Sequence, residues 1–303
     1  MTRAPVRYAI LLVGVAGLSM AGVFYKLAAA PIIVIVAYRM LFAAALSVPL
    51  AGASRALSGI NAKSRSRLST ADVRASLLSG VFFAVDVLAW AMSLKFTSVA
   101  SAGLFVSTDP IFVSLLAWIF LRERPSSLMG FGIAIGVVGL TVVGGHDLHV
   151  AGRALVGDAI ACFAALCESA YLLVGRHVRR RVDAPRYTLV LYSASTVVLW
   201  IAVVAGHWAI AISRQDLFIA LALAVVVTLL GHTLVSQSLG ATPASAVAAS
   251  FMAQPMLAAL FALWFIHQPI LLPTVIGGLI ALAGVGIVVL ASERRSMLAL
   301  ATN

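Results

Sequence analysis

Charged residues are scarce in this chain. Only 10% of its 303 residues are Asp, Glu, Lys or Arg, whereas 62% are hydrophobic. A soluble domain has about a quarter charged residues and roughly half apolar residues. A chain of this length could not hide so much apolar surface from water, so the composition excludes a soluble globular protein. It predicts a protein whose apolar surface faces a lipid bilayer.

Cysteine is scarce as well, with two residues in the whole chain. Cys162 and Cys167 lie in one apolar segment, five positions apart, so they do not share a helix face. This spacing argues against a disulfide or a shared metal site and predicts two buried thiols.

The motifs of soluble enzymes are missing too. The chain contains no GxSxG elbow, no HExxH helix and no Walker loop. We therefore expect no catalytic residue, no cofactor and no bound metal, and ATP-driven transport would need a partner chain. The HDLH stretch at 146–149 has a ligand-like spacing, but it stands alone in a short loop and is interpreted as a connection.

Long apolar runs are what the sequence has in abundance. Each contains about twenty residues, which is enough to cross about 30 Å of hydrocarbon as a helix. The first is interpreted as a transmembrane helix rather than a signal peptide, because nine more follow it. The ten predicted helices lie near 8–28, 31–51, 73–94, 98–121, 128–145, 155–176, 185–206, 217–238, 243–266 and 271–291.

The basic residues lie in clusters between the apolar runs, and their placement predicts the orientation. With the N-terminus in the cytoplasm, sixteen Lys and Arg residues lie in cytoplasmic segments and four on the opposite side, while Arg39 lies inside the second helix. This asymmetry follows the positive-inside rule. It predicts a multi-pass protein of the cell inner membrane with both termini in the cytoplasm. The clusters also account for the net charge of +11 without a nucleic-acid partner.

The chain resembles itself at an offset of 145 residues. At this offset SLKFTSVASAGLFVSTDPIFVSLLAWIF lies on SLGATPASAVAASFMAQPMLAALFALWF, and Pro110 coincides with Pro255. We therefore expect two five-helix repeats, residues 1–145 and 146–303. Because five is an odd number, the second repeat must run upside down relative to the first. The predicted fold is an all-α integral membrane protein with ten transmembrane helices, arranged as two inverted five-helix repeats around a central cavity.

Glycines in the fifth predicted helix imitate a dinucleotide-binding loop, but they follow no strand. Gly132, Gly136 and Gly139 are interpreted as a face for close helix packing. The spacing recurs in the tenth helix at Gly277, Ala281 and Gly284.

Several segments carry a family resemblance that spans nearly the whole chain. They are YKLAAAP and YRMLFAAAL in the first two helices, STDPIFVSLLAWIFLRERP in the fourth, AYLLVGRHVRR in the sixth and LGATPASAVAASFMAQP in the ninth. These segments are similar to those of the drug/metabolite transporter superfamily, specifically its ten-helix EamA-type members. The resemblance implies two five-helix bundles around a central cavity, with helices 5 and 10 at the periphery. It also implies export of small metabolites, often amino acids.

Ionisable side chains inside membrane helices cost about 2.5–3.5 kcal/mol each on insertion scales and therefore indicate function. Arg39, Asp86, Asp109 and Glu168 lie well inside the predicted helices, and His232 joins them if it is protonated. One arginine can neutralise only one of the three carboxylates. We expect at least one carboxylate to be protonated at neutral pH or to face water, so all three are candidates for coupling proton movement to transport.

Asp86 and His232 lie near the middle of the third and eighth helices, which enter the membrane from opposite sides. At the offset of 145, Asp86 falls on Gly231, beside His232, so the two are expected to face each other. Trp90 and Phe83 flank Asp86 on one helix face. They predict an aromatic strip in the cavity, with packing against neighbouring helices or lipid as the alternative.

Arg39 fits two roles. It can form an ion pair that braces the second helix against the third or fourth, or it can anchor a carboxylate of the substrate. Ser19 and Tyr171 are further candidates for lining the cavity. Lys26 lies near a helix end and is expected to extend towards the lipid headgroups.

The Asp109-Pro110 pair lies in the middle of an apolar run. Pro110 removes a backbone N–H and frees a carbonyl, which bends the helix, and in lipid the freed group must face protein or cavity water. Gln254-Pro255 is the equivalent pair in the second repeat. We predict two symmetric bends at the site, with Pro110 and Pro255 as hinges and Gln254 lining the cavity.

These features favour a membrane transporter that exports small metabolites by alternating access, with amino acids or related amphiphiles as the preferred substrates. The alternatives are an exporter of lipophilic drugs, an intramembrane enzyme, and a structural or receptor-like membrane protein. The expected partners are the small-molecule substrate, the bilayer and protons. The protein is expected to be a monomer or a homodimer.

Overall fold

A computed structural model describes residues 4–58, 69–122, 125–150, 152–179, 182–231 and 253–301. Within these segments the regular structure is helical and no strand is present. A π-helical segment, Leu223–Gly231, continues α10. The helices are α1 (Ala4–Ser19), α2 (Ala21–Leu27), α3 (Ile32–Ser58), α4 (Thr70–Ser93), α5 (Val99–Val106), α6 (Asp109–Leu121), α7 (Ser127–Val150), α8 (Gly152–Arg179), α9 (Ala184–Ala205), α10 (Arg214–Ala222), α11 (Gln254–Ile266) and α12 (Leu272–Ala301).

The ten predicted crossings are recognisable in this order of helices. Seven spans within the described residues are long and apolar enough to cross a membrane, and three shorter apolar helices supply the rest: Leu12–Leu27, Ser127–Val143 and Gln254–Ile266. The first crossing is divided between α1 and α2, and the fourth between α5 and α6. The fold is therefore the predicted all-α integral membrane architecture.

The fourth crossing contains a full break rather than the predicted kink. Helix α5 ends at Val106, and α6 begins at Asp109 with Pro110 in its first turn, where a backbone N–H has no helical partner anyway. The hydroxyls of Ser107 and Thr108 donate to the carbonyls of Gly103 and Phe105, at 2.8 and 2.6 Å. These bonds satisfy backbone groups that lipid could not.

The second repeat reproduces this region at the predicted offset. Helices α6 and α11 each contain 13 residues and each carry a proline in the first turn. Both end in a left-handed residue, Arg122 with φ 56° and His267 with φ 52°, and the next helices begin at Ser127 and Leu272. All of these positions are related by 145, which confirms the repeat.

The contact between α7 and α12 shows that the repeats are inverted. A Cβ atom added to Gly132 would lie 2.8 Å from the Gly284 carbonyl oxygen, and one added to Gly139 would lie 2.6 Å from that of Gly277. The earlier glycine of each helix therefore faces the later glycine of the other, so the two equivalent helices run antiparallel. The predicted glycine face is confirmed as the surface on which the fifth and tenth crossings pack.

The remaining contacts follow the same two-fold relation. Helix α4 packs against α8 as α1 packs against the π-helical segment, and α6 packs against α8 as α11 packs against α1. The outer surface is apolar, with Phe120 72% and Trp264 67% exposed, while polar residues such as Arg39 and Asp86 are buried. This distribution is that of a protein surrounded by lipid.

The glycine contact yields a test of the helix packing. In Gly139→Ala the new methyl would lie 2.3 Å from the Ala281 nitrogen, and the nearby atoms are backbone and cannot rotate away. We expect the free energy of unfolding to fall by about 1–3 kcal/mol, as for other overpacked sites. Unfolding of the purified protein by denaturant measures the change.

Gly130→Ala is the matched control, because it lies on the same helix and a Cβ atom there would meet nothing within 4 Å. It should leave stability unchanged or raise it, since alanine favours the helix. An equal effect of the two substitutions would contradict the antiparallel glycine contact.

Candidate functional site

Arg39 and Asp86 lie at the same depth in the bundle. Arg39 is seven residues after the start of α3, and Asp86 is seven residues before the end of α4. The two helices are joined by the loop at the opposite end, so these positions are both about 10 Å from the membrane face opposite the termini. Both side chains are buried, with 3% and 6% of their surface exposed.

The guanidinium of Arg39 is held by hydroxyl groups. Its Nε donates to Thr228 Oγ1 at 2.9 Å, and Nη1 donates to the Tyr25 hydroxyl at 2.8 Å. The guanidinium carbon also lies 5.9 Å from the centre of the Tyr25 ring. Within the described segments no carboxylate forms a salt bridge with Arg39. The ion-pair role expected as one of two alternatives is therefore replaced by neutral hydrogen bonds to the first and eighth crossings.

Thr228 reaches Arg39 from a π-helical turn. Its hydroxyl also donates to the Leu223 carbonyl at 3.2 Å, five residues back, which is the spacing of a π-helix. Close packing places this segment against α1, because a Cβ atom on Gly17 would lie 3.0 Å from the Val226 carbonyl oxygen. Short π-helical segments recur at functional sites, where they re-aim a side chain.

Three carboxylates lie near one another, and one of them, Asp86, lies near Arg39. Asp86 on α4 lies within electrostatic range of Arg39 and Asp109, and Glu168 on α8 lies within range of both aspartates. Asp109 and Glu168 are half-buried. Within the described segments no three acidic, histidine or cysteine side chains are close enough to hold a metal ion. The cluster thus contains more acidic than basic side chains, and among the described residues it does not form a cation site.

Aromatic rings lie beside these ionisable side chains. Trp90 makes an edge contact with Tyr25, with ring centres 6.0 Å apart, and its buried indole N–H has no acceptor within the described structure. Phe83 contacts Tyr171 and Tyr192, at 5.0 and 5.9 Å. The predicted aromatic strip therefore continues from α4 onto α2, α8 and α9.

The two helix breaks are tied to the site by a symmetric pair of serines. Ser19 at the end of α1 shares its hydroxyl hydrogen between the carbonyls of Val15 (2.8 Å) and Gln254 (3.2 Å), and Ser169 on α8 donates to the Asp109 carbonyl at 3.0 Å. Each serine comes from the first crossing of one repeat and binds the residue before the proline in the other repeat. The bends at Pro110 and Pro255 thus lie where the two repeats meet.

The structure brings together most of the residues that the sequence selects. Arg39, Asp86, Asp109 and Glu168 share one region, with Trp90, Phe83 and Tyr171 around them, and Ser19 and Gln254 meet at the second break. His232 lies outside the described residues. Lys26, expected to extend towards the headgroups, is exposed near the end of α2 and donates to the carbonyls of Leu94 and Thr97.

Sequence reasoning missed two residues of the site and one buried charge outside it. Tyr25 and Thr228 accept hydrogen bonds from Arg39. Hydroxyl residues are common inside apolar helices and cost little free energy to insert into a membrane, so the sequence does not single them out. Asp158 is 1% exposed near the start of α8, and its charge was a usable signal that the position near a predicted boundary obscured.

Chemically, the arrangement places groups of opposite charge beside aromatic rings. The guanidinium presents donors for a carboxylate, the carboxylates can bind an ammonium group or a proton, and the rings can cover an apolar side chain. Buried charges between two inverted repeats, within an apolar bundle of ten crossings, define a multi-pass membrane transporter of small molecules.

Comparison with known sequences names the family. The sequence model of the EamA-like transporter family matches residues 7–145 and 155–290, one match in each half of the chain. The chain belongs to the EamA-like transporter family, which confirms the resemblance. This membership supports a transporter rather than an enzyme.

Individual relatives are distant. An uncharacterized transporter from Archaeoglobus fulgidus is 23% identical over 196 residues, which cover 64% of this chain and 68% of that protein. A solved crystal structure superposes with a TM-score of 0.63 and 16% sequence identity, over 95% of this chain and 98% of that chain. At this identity the likeness concerns the fold alone.

The partners of Arg39 give a prediction about the site. Tyr25→Phe and Thr228→Val each remove one acceptor from a buried charge, so we expect the free energy of unfolding to fall by about 1–3 kcal/mol. Denaturant unfolding measures the loss. Tyr38→Phe is the control, because it removes only the exposed hydrogen bond to the Ile210 carbonyl. A loss as large in the control would argue against the special role of the Arg39 bonds.

Proposed function

We propose that the protein is a secondary transporter that exports small metabolites, with amino acids or related amphiphiles as substrates, by alternating access. The observation that carries this proposal is the guanidinium of Arg39. It is buried, it is held only by hydroxyls among its described hydrogen bonds, and it lies near Asp86, which in turn lies near two further carboxylates. A structural arginine in hydrocarbon would be expected to form a close ion pair. An arginine that holds donors beside a negative cluster can bind the carboxylate of a zwitterion while the cluster binds its ammonium group.

The aromatic rings support the same substrate class. Trp90 and Phe83 lie on the two sides of Asp86 along α4, so the apolar part of an amphiphile would lie next to its charged part. The free indole N–H of Trp90 adds one donor for a polar group of the ligand. The cavity residues of the proposal are Arg39, Asp86, Trp90, Phe83, Tyr171, Ser19, Gln254 and, outside the described residues, His232.

The surplus of negative charge supports proton coupling. Asp86, Asp109 and Glu168 lie within electrostatic range of one another, and Arg39 offers one positive charge to three acids. A proton bound by one of them would relieve the repulsion, and its release would alter how the ammonium group is bound.

The inverted repeats support access from both sides. The first crossing of each repeat forms a hydrogen bond with the broken fourth crossing of the other repeat. A movement of the helix break at Pro110 would therefore have an equivalent movement at Pro255. The excess of basic residues in the segments on the side of the termini supports a cytoplasmic location for both termini, and export would run from there to the opposite face.

The function is tested by efflux from proteoliposomes loaded with a mixed pool of amino acids and small organic acids, with and without an imposed pH gradient. We expect selective loss of a few zwitterionic compounds and a faster loss under the gradient. Loss of lipophilic amines alone would favour the drug-exporter alternative. No loss of any compound would contradict transport of this class.

Single substitutions test the assigned roles in the same assay. Arg39→Lys should reduce efflux at least about tenfold, because a lysine cannot offer the planar paired donors of the guanidinium. Asp86→Asn, Asp109→Asn and Glu168→Gln should include at least one variant that loses the response to the pH gradient.

Asp72→Asn is the matched control on the same helix as Asp86. Asp72 belongs to the capping box at the start of α4, where its backbone N–H donates to Ser69 Oγ at 3.1 Å. It precedes Asp86 by 14 residues, or about 21 Å along the helix. Its flux and pH response should match those of the unmodified protein. Unchanged flux and pH dependence in all three site variants would contradict proton coupling by these carboxylates.

A further inference from the structure

On the membrane face opposite the termini, several hydrogen bonds join the two repeats. This face carries the loops that follow α2, α4, α9 and α11. Each bond pairs a group of the first repeat with a group of the second. They run from Thr97 Oγ1 to Asp158 Oδ1 (2.8 Å), from Ser101 Oγ to Asp158 Oδ1 (2.8 Å), from Val99 N to Gln268 Oε1 (3.0 Å), from Ala29 N to Asp216 Oδ1 (2.9 Å) and from Tyr38 OH to the Ile210 carbonyl (3.1 Å).

Asp158 is the more buried of the two carboxylates in this set, with 1% of its surface exposed against 3% for Asp216. Burying a carboxylate is costly unless donors surround it, and here two hydroxyls from the first repeat donate to the same oxygen. The carbonyl of Thr97 in turn accepts from Lys26 Nζ at 3.3 Å. Thr97 therefore lies between an ammonium group on the first crossing and a carboxylate on the sixth.

Gly157 allows the backbones to meet at this point. A Cβ atom there would lie 2.7 Å from the Thr97 nitrogen, 2.8 Å from Thr97 Cβ and 2.9 Å from Phe96 Cβ. Any larger residue would push the 94–98 loop away from α8. The contact thus combines a buried charge with a close backbone approach, two independent features at one place.

We propose that the contact between loop 94–98 and the Gly157–Asp158 turn of α8 is a gate between the repeats, and that it is closed in this structure. Asp158 is ten residues from Glu168 along α8, or about 15 Å, so the contact lies between the site and the membrane face opposite the termini. A substrate leaving the site in that direction must separate Thr97 and Ser101 from Asp158. The gate rests on the proposed transport function.

The native cysteines provide a probe. Cys162 is half-buried one helical turn beyond Asp158, on the same face of α8, and the chain contains one other thiol, Cys167. In a Cys167→Ala background, a membrane-impermeant maleimide applied to the face opposite the termini reports how often the gate opens. The measurement uses the full chain in vesicles and requires no substrate.

Three changes should open the gate. Asp158→Ala removes the acceptor, Thr97→Val removes a donor, and Gly157→Ala inserts a methyl between the backbones. We expect each to raise the labelling rate of Cys162 about tenfold, which corresponds to about 1.4 kcal/mol. Gly152→Ala on the same helix is the matched control, because nothing lies within 4 Å of its added Cβ atom, and its labelling should not change.

Circular dichroism and elution volume identify variants that have not folded, and Thr97→Val tests the same bond if Asp158→Ala fails to fold. The proposal is overturned if the folded variants label at the unmodified rate, or if labelling rises equally from both membrane faces. Flux is measured separately. If the variants change the labelling rate but the protein shows no flux, the proposed function is wrong and the contact still opens and closes. If the protein shows flux but the variants label at the unmodified rate, the function stands and the gate is wrong.

Discussion

The arrangement of the central helices depends on one requirement, that a guanidinium in an apolar interior must have acceptors for its N–H groups. Arg39 lies on α3, has 3% of its surface exposed and forms no salt bridge among the described residues. Tyr25 on α2 and Thr228 on the π-helical segment supply the hydroxyl oxygens that accept its hydrogen bonds. Because those hydrogen bonds join the second crossing to the first and to the eighth, they fix both repeats around the same charge. Asp86 on α4 then lies within electrostatic range of a positive group that is positioned but forms no salt bridge, and the carboxylates on α6 and α8 lie near Asp86.

Inversion of the repeats explains why the site has two broken helices rather than one. The same helix break recurs at Asp109 and at Gln254, and each of these residues is followed by proline. The backbone carbonyl of each accepts a hydrogen bond from a serine hydroxyl of the opposite repeat. The chemistry of the two breaks nevertheless differs, since one carries an acid and the other an amide. The scaffold is symmetric while the charge is concentrated in the first repeat. A substrate with unlike ends would match that asymmetry.

Much of this fold could be predicted from the sequence, because the membrane imposes rules that are visible in it. The offset of 145 places α6 on α11 residue for residue, and the cost of burying charge selects Arg39, Asp86 and Glu168. A single offset fails elsewhere, since the capping serines Ser69 and Ser213 are 144 apart and the paired serines Ser19 and Ser169 are 150 apart. Loop lengths differ between the repeats, so the pairing of serines with the breaks required coordinates. The boundary between residues 145 and 146 and the role of His232 stay predictions.

The central claim is that one buried site is exposed to the two membrane faces in turn. Counterflow tests it most directly: vesicles containing the protein are loaded with an unlabelled amino-acid mixture and given trace labelled amino acids outside. An alternating-access carrier exchanges one for the other, so the account predicts a transient accumulation of label above its external concentration. Labelled uptake that only equilibrates, and that ignores the unlabelled pool inside, would contradict the claim and indicate a channel.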